Sequence, residues 1–208
     1  MDGLVLPIQT ERLTLRTHRA DDLESLLDYY SDANVARHIP WEPWSHAEAE
    51  VHLAKRLLRT GIDGHDSALS LVVERERHVI GDVVLWPADE TLARGEMGWA
   101  LHPAAAGNGY ATEAVLALVG VAFGTYGMHR VIAQLDSRNA ASAKLCERVG
   151  MTREAYLRQD LWTEGEWIDN VIYGLLATEW QRQSPSHVNR QSRAALRIEP
   201  HAGKPESR

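Results

Sequence analysis

Gly107-Asn108-Gly109 stands between a strand pattern that ends at Pro103 and a strongly periodic helix that starts at Tyr110. A strand, a glycine loop and a helix start aim several backbone N–H groups at one spot. The positive end of the helix dipole lies there too, so the spot suits a phosphate or pyrophosphate. Neither glycine has a Cβ, so an anion can approach the backbone closely and unusual φ values cost little. On spacing alone, a plain tight turn is the alternative. The dinucleotide fingerprint G-x-G-x-x-G is incomplete, because Thr112 holds its third place. The Gly-Lys-Ser/Thr of a triphosphate loop is absent.

Other segments add to this. Downstream comes Asp136-Ser-Arg-Asn139-Ala-Ala-Ser142-Ala-Lys-Leu145-Cys-Glu-Arg-Val-Gly150-Met151, and upstream Gly95-Glu96-Met-Gly98-Trp99. The chain opens with Thr10-Glu-Arg-Leu-Thr-Leu-Arg16, and His129-Arg-Val131 precedes the downstream motif. Together, in this order, these segments resemble the GNAT superfamily of acyl-CoA-dependent N-acetyltransferases. The nearest branch is the RimJ/RimL type, which acetylates ribosomal-protein N-termini. The resemblance covers residues 8–180. It implies one α+β domain whose mixed, mostly antiparallel sheet is splayed between its fourth and fifth strands, flanked by helices, with the acyl-CoA in the split.

The resemblance also implies roles. Ala106, Gly107, Asn108, Gly109, Tyr110, Ala111 and Thr112 form the pyrophosphate loop of acetyl-CoA, the expected co-substrate. The family carries Arg or Gln at the places of Ala104 and Ala106, so side-chain help to the phosphates is missing there. The edge of the strand from Trp99 to Leu101 offers backbone partners to the pantetheine, and the N–H of Leu101 is the oxyanion donor. Asn139 bonds the pantetheine, and Ser142 protonates the departing thiolate, with Tyr110 and Tyr173 as further donors. Both Asn139 and Ser142 are equally residues that cap helices. The attacking amine must lose a proton, and Glu96 is the first candidate base. Asp160 is the second, although Leu161 occupies the matching place. Trp41 and Trp44, with Glu42 between them, edge the acceptor pocket. Cys146 is a buried spacer.

These residues need a framework. Residues 13–17 alternate as a strand, and a helix starts at Ala20-Asp-Asp. The loop 38–44 is broken by two prolines. Ser45 and Glu48 form a capping box for a helix running to about Thr60, with Gly61 and Gly64 at its exit. Strands follow at 69–74, 79–87 and 94–102. The helix after Gly109 carries apolar residues on one face. A strand at 130–135, a helix at 139–149 ending on Gly150 and a hairpin of 153–162 with 167–176, turning at 164–166, complete the domain.

Composition sets the limits. The chain has 208 residues, 44% hydrophobic and 25% charged, enough for one domain with its own core. The single cysteine excludes an intrachain disulfide and fits a cytoplasmic protein. The ten histidines form no metal-binding pattern, so no metal is expected. No stretch is apolar enough for a membrane span, and the start lacks a basic leader. Residues 181–208 hold six Arg or Lys against two Glu, and read as a basic, largely disordered tail with an ordered contact at 194–198. The remainder therefore carries −11, the chain's −7 less the tail's +4. An acidic body disfavours nucleic acid and favours a cationic partner such as an amine.

The expected activity is thus acetyl transfer from acetyl-CoA to a primary amine, by direct attack through a tetrahedral intermediate. The acceptor is a protein N-terminus or a small amine. The alternative is a catalytically silent CoA-binding module that acts through protein partners. Dimers are common in the family, so a homodimer is among the expected states.

Overall fold

The run Ala-Leu-Ser-Leu-Val-Val at 68–73 is apolar on both faces, as a strand covered on both sides must be. In the computed structural model, which describes residues 4–39, 41–62, 67–163 and 165–183, this run is the buried part of the central strand β4, Ala68–Arg75. Around it the chain sets out β1 (Ile8–Gln9), β2 (Thr14–Thr17), α1 (Leu23–Tyr30), α2 (Ala33–Ala36), α3 (His46–Leu57) and β3 (Thr60–Gly61). After it come β5 (His78–Pro87), β6 (Arg94–Leu101), α4 (Tyr110–Gly120), β7 (Arg130–Asp136), α5 (Ala140–Val149), β8 (Thr152–Thr163), β9 (Glu166–Leu176) and α6 (Ala177–Gln183). The strands form one mixed sheet in the order β1-β2-β4-β5-β6-β7-β9-β8, with β3 beside β4. Every pairing is antiparallel except β6 with β7.

That parallel seam matters most. It has three residue pairs only: Arg94 with Arg130, Gly95 with Val131 and Glu96 with Ile132. Past Glu96 the strands part. β6 stays with β5 as far as the pair Leu101–Gly81, while β7 stays with β9 as far as Asp136–Asn170. Residues 97–101 of β6 therefore have no strand partner on the β7 side among the described residues. This is the splay expected between the fourth and fifth principal strands.

Helices cover both faces. On one, α4 and α5 pack over Met97, Val115, Leu118, Val131, Leu145 and Val171. On the other, α1 and α3 bury Leu26, Tyr29, Tyr30, Trp44 and Leu53 against Ala100. Side chains alternate along a strand, so Glu96 and Ala100 face the α1–α3 layer while Met97 and Trp99 face α4 and α5.

Several expected boundaries move. Ser45 and Glu48 do close a capping box, with Ser45 N to Glu48 Oε2 at 2.7 Å and Glu48 N to Ser45 Oγ at 3.3 Å. The helix ends at Leu57 rather than near Thr60, because Thr60 and Gly61 pair with Leu69 and Ala68 of β4. Ala20–Asp22 is a single 3-10 turn, and the α-helix proper begins at Leu23. Ahead of the loop 38–44 a short helix not expected from the sequence, α2, is capped by Asp32, whose carboxylate accepts from Asn34 N at 2.8 Å. The helix after Gly109 closes in a π turn, Val121–Thr125. Residues 181–183, placed in the tail, are the last turn of α6. Pro40, Gly64, Glu164 and residues 184–208, with the contact expected at 194–198, lie outside the described residues. Among the described residues no helix is long and apolar enough to cross a membrane.

Candidate active site

Gly109 is the residue before α4 and has φ +79; Gly107 has the same value. A side chain in that left-handed region is strained, which accounts for both glycines. Glu113 N bonds Gly109 O at 3.1 Å, the first helical bond. The N–H groups of Gly109, Tyr110, Ala111 and Thr112 thus precede the helical ladder, and no side chain caps them. Asn108 folds the loop on itself, its Nδ2 donating to Ala105 O at 3.3 Å and Ala106 O at 3.0 Å. A Cβ on Gly107 would meet nothing within 4 Å, so the space in front of the loop is open.

Two guanidinium groups border this loop. Arg148 on α5 donates to Thr112 Oγ1 at 3.1 Å. Arg12 lies 4.7 Å from the Tyr110 ring centroid and donates to Asn108 O at 3.0 Å. It is held by Glu113, Nε to Oε2 at 2.7 Å, and Thr10 Oγ1 donates to the same carboxylate at 2.6 Å. Sequence reasoning found neither cation. Arg12 is a hundred residues from the loop, and Arg148 reaches it only because α5 packs beside α4.

At the open edge of β6, the Trp99 indole N–H donates to Ser142 Oγ at 3.2 Å, and Ser142 N donates to Asn139 Oδ1 at 2.9 Å. Asn139 therefore caps α5 through its Oδ1. Trp99 and Ser142 meet across the gap between β6 and the helix that follows β7. Leu101 packs into the core at the far end of the strand. Tyr110 is stacked under Arg12 and Arg75, and Tyr173 is buried beside Glu147. Cys146 is fully buried, and burial pushes its thiol up to about 12. It is an inert core residue.

On the other face, at the last pair before the strands part, lies Glu96. Burial raises its pKa above the ordinary carboxylate value, against hydrogen bonds from Gln134 and the Trp86 indole that lower it. No charged side chain contributes. Gln134 Nε2 donates to Glu96 Oε2 at 3.1 Å. Asn170 Nδ2 then donates both to Gln134 Oε1 at 3.2 Å and to Asp160 Oδ2 at 3.2 Å. The two candidate carboxylates are the ends of one hydrogen-bonded chain. Asp160 gets there through a bulge: β8 spends four residues, from Leu157 to Leu161, where β9 spends two, from Asn170 to Ile168. Gln159 sits in it at φ +49, its N–H held by Asp169 at 2.8 Å. The bulge sets Asp160 within reach of Asn170 on this face.

The same face has a rim. Asp136 accepts from Arg138, whose Nη2 is at 2.7 Å and which also reaches Glu166, and His38 Nδ1 lies 3.7 Å from it. Burial opposes ionisation of Asp136, yet the Arg138 hydrogen bonds hold its pKa below the usual value. Glu42 lines an open cleft with Arg37, Asn34 and Gly165, and Trp41 is partly exposed beside His52. Trp44 is a correction. It is 3% exposed and stacked between Tyr30, at 4.0 Å, and His52, at 4.3 Å. It is a core residue under α3 rather than an edge of the pocket. Among the described residues, no group of three His, Cys, Asp or Glu is placed to hold a metal ion.

A parted sheet with a glycine-started helix on one face and a carboxylate at the fork on the other is the arrangement of an acyltransferase. Residues 12–152 match the model of the acetyltransferase (GNAT) domain, and the chain belongs to that family. Its relatives bear the names of N-acetyltransferases. The uncharacterized N-acetyltransferase YnaD of Bacillus subtilis (strain 168) is 27% identical over 175 residues, 83% of this chain and 98% of the relative. The [Ribosomal protein uS5]-alanine N-acetyltransferase of Escherichia coli (strain K12) is 26% identical over 186 residues, 83% of this chain and 92% of the relative. Among solved structures, a GNAT-family acetyltransferase from Bacillus anthracis superposes with TM-score 0.75 at 26% identity, covering 82% of this chain and 98% of its own. The fold is shared with RimL, the ribosomal L7/L12 alpha-N-protein acetyltransferase, solved with coenzyme A (TM-score 0.72, 18% identity, 80% and 95% covered). It is shared too with spermidine N-acetyltransferase from Vibrio cholerae, solved with CoA and spermine (TM-score 0.71, 22% identity, 83% and 99% covered). The protein is an N-acetyltransferase.

Proposed function

We propose that this enzyme transfers the acetyl group of acetyl-CoA to a primary amine, with Glu96 as the base. One observation carries the reading. Glu96 sits where β6 and β7 part, with neutral donors only, on the face opposite Trp99 and Ser142. Donor and acceptor then reach the fork from opposite faces. The structures with CoA, and with CoA and spermine, support this choice of donor and of a cationic acceptor.

The open loop suits a diphosphate: the amides of Gly109 to Thr112 receive it, and Arg148 and Arg12 bring the positive charge that Ala104 and Ala106 lack. The free edge of β6, with Asn139 Nδ2, receives the pantetheine amides. Acetyl-CoA supplies an acyl carbon activated as a thioester. Glu96 takes a proton from the ammonium, directly or through one water, and the neutral amine attacks that carbon. The N–H of Leu101 holds the oxygen that becomes negative, worth roughly 3–4 kcal/mol when such a donor is preorganised. As the C=O re-forms, the C–S bond breaks, the Ser142 hydroxyl gives its proton to the thiolate, and the second proton shed by the nitrogen as the neutral amide forms restores the Ser142 hydroxyl. Trp99 donates to Ser142 Oγ, so the serine's own proton remains available.

The acceptor is a protein N-terminus or a small cationic amine, met at the mouth by Glu42 and Trp41. The test is acetyl-CoA turnover against a panel of amines and N-terminal peptides, read by thiol release. Acceptor-dependent release is the expected result. Coenzyme binding with no turnover across the panel would leave a silent CoA-binding module in its place.

A further inference from the structure

We propose that Asp160 is a positioning residue, which acts through the amides of Asn170 and Gln134 to keep a hydrogen-bond donor aimed at Glu96. The importance of this for catalysis rests on the reading of Glu96 as base. The chain of contacts is Asp160 Oδ2, Asn170 Nδ2, Gln134 Oε1, then Gln134 Nε2 to Glu96 Oε2, at 3.2, 3.2 and 3.1 Å.

Its direction follows from chemistry. An amide offers a carbonyl on one side and an NH2 on the other, and the two are interchangeable in shape. A carboxylate only accepts, so Asp160 requires the NH2 of Asn170. That NH2 has a second proton, which requires the carbonyl of Gln134. The NH2 of Gln134 is then left for Glu96. Reversing both amides would set the Asn170 carbonyl against the Asp160 carboxylate and the Gln134 carbonyl against Glu96. The reversed chain is compatible only with a protonated Glu96. A fixed charge at Asp160 therefore favours the ionised, proton-accepting form of a carboxylate it does not touch.

The surroundings leave this chain in control. β5 contributes the Trp86 indole, a donor only. Arg94 and Arg130, on the same face two residues before the fork, are held by Asp89 and Glu154. Asp136 is held by Arg138, with His38 beside it. Gln134 and Asp160 are both exposed, so conservative changes there leave the core untouched.

The sign of one substitution separates this proposal from simple electrostatics. Removing the negative charge of Asp160 lowers the pKa of Glu96 if the two interact only through space. Releasing the amide chain raises it. The experiment follows the Glu96 carboxyl carbon by NMR in the free protein labelled with δ-13C-glutamate, the signal being assigned by its loss in Glu96→Gln. Gln134→Met is expected to raise the Glu96 pKa by about half a unit, the scale of one neutral hydrogen bond. Asp160→Asn is expected to raise it by less, and to add nothing in the Gln134→Met background. A downward shift in Asp160→Asn, or an equal shift in both backgrounds, overturns the proposal. These titrations need no turnover, so they stand or fall apart from the base assignment, which fails if Glu96→Gln keeps a normal rate.

Discussion

Two carboxylates on the same face of the sheet have opposite fates. Asp82, on β5, is 4% exposed and receives Arg56 Nε at 3.0 Å and Tyr30 OH at 2.7 Å, while Arg56 also donates to that hydroxyl at 3.1 Å. Glu96, on the neighbouring strand, receives only an amide and an indole. A buried guanidinium gives its partner a full counter-charge and ties α3 to the sheet. Neutral donors orient a carboxylate without committing it, and burial then makes it more basic. If Glu96 is the base as proposed, what marks it is less what surrounds it than the counter-charge it lacks.

The largest effect should come from breaking the first network. Asp82→Ala leaves Arg56 charged and uncompensated in the interior, which is expected to cost about 3–5 kcal/mol in urea unfolding. An unchanged midpoint would show that Arg56 finds water instead. Next, Glu96→Gln should lower kcat about 10²- to 10³-fold, within the range of general-base contributions, with acetyl-CoA affinity unchanged by calorimetry. A parallel loss of affinity would make Glu96 a structural residue.

The buried network has its own pH signature. Burial lowers the pKa of His18 from 6.5 to about 4, with Asp82 opposing and Arg56 assisting, and His18 Nε2 is 3.0 Å from Ser70 Oγ. The unfolded chain binds that proton more readily, so stability is full above pH 6.5 and falls as the pH drops toward 4. About 2 kcal/mol should go between pH 7 and pH 5, and a His18→Gln protein should lack that slope. The smallest effect sharpens the contrast directly. Gln134→Lys sets a cation beside Glu96 and gives it an Asp82-like partner. The rate at neutral pH should drop about tenfold while the acid limb of its pH profile moves down. A limb that moves up would contradict the assignment of that limb to Glu96.

What the sequence made legible was local. Gly107 and Gly109, Ser45 with Glu48, and Asn139 with Ser142 each act within one turn of chain, so spacing alone exposes them. Glu96 could be picked out because it lies near the start of the strand that runs to the glycine loop. Gln134, Asn170 and Trp86 were not, because they meet Glu96 only through the registers of β5, β7 and β9. Arg148 was hidden for the same reason. Trp44 misled because an aromatic residue in a proline-broken loop resembles an exposed lip. Its stacking partners, Tyr30 and His52, come from α1 and α3, brought together only in the folded chain. The contact of Asp160 with Asn170 could not be read, since the bulge of β8 leaves no mark in spacing.

An unfinished ladder of backbone groups ordinarily invites a strand from another molecule. Along residues 97–101 that invitation is issued inside the fold, between helices on either side. An extended arm laid beside β6 would meet backbone groups at the ~4.8 Å spacing of neighbouring strands, so its length and its amides, rather than its charge, would set how well it fits.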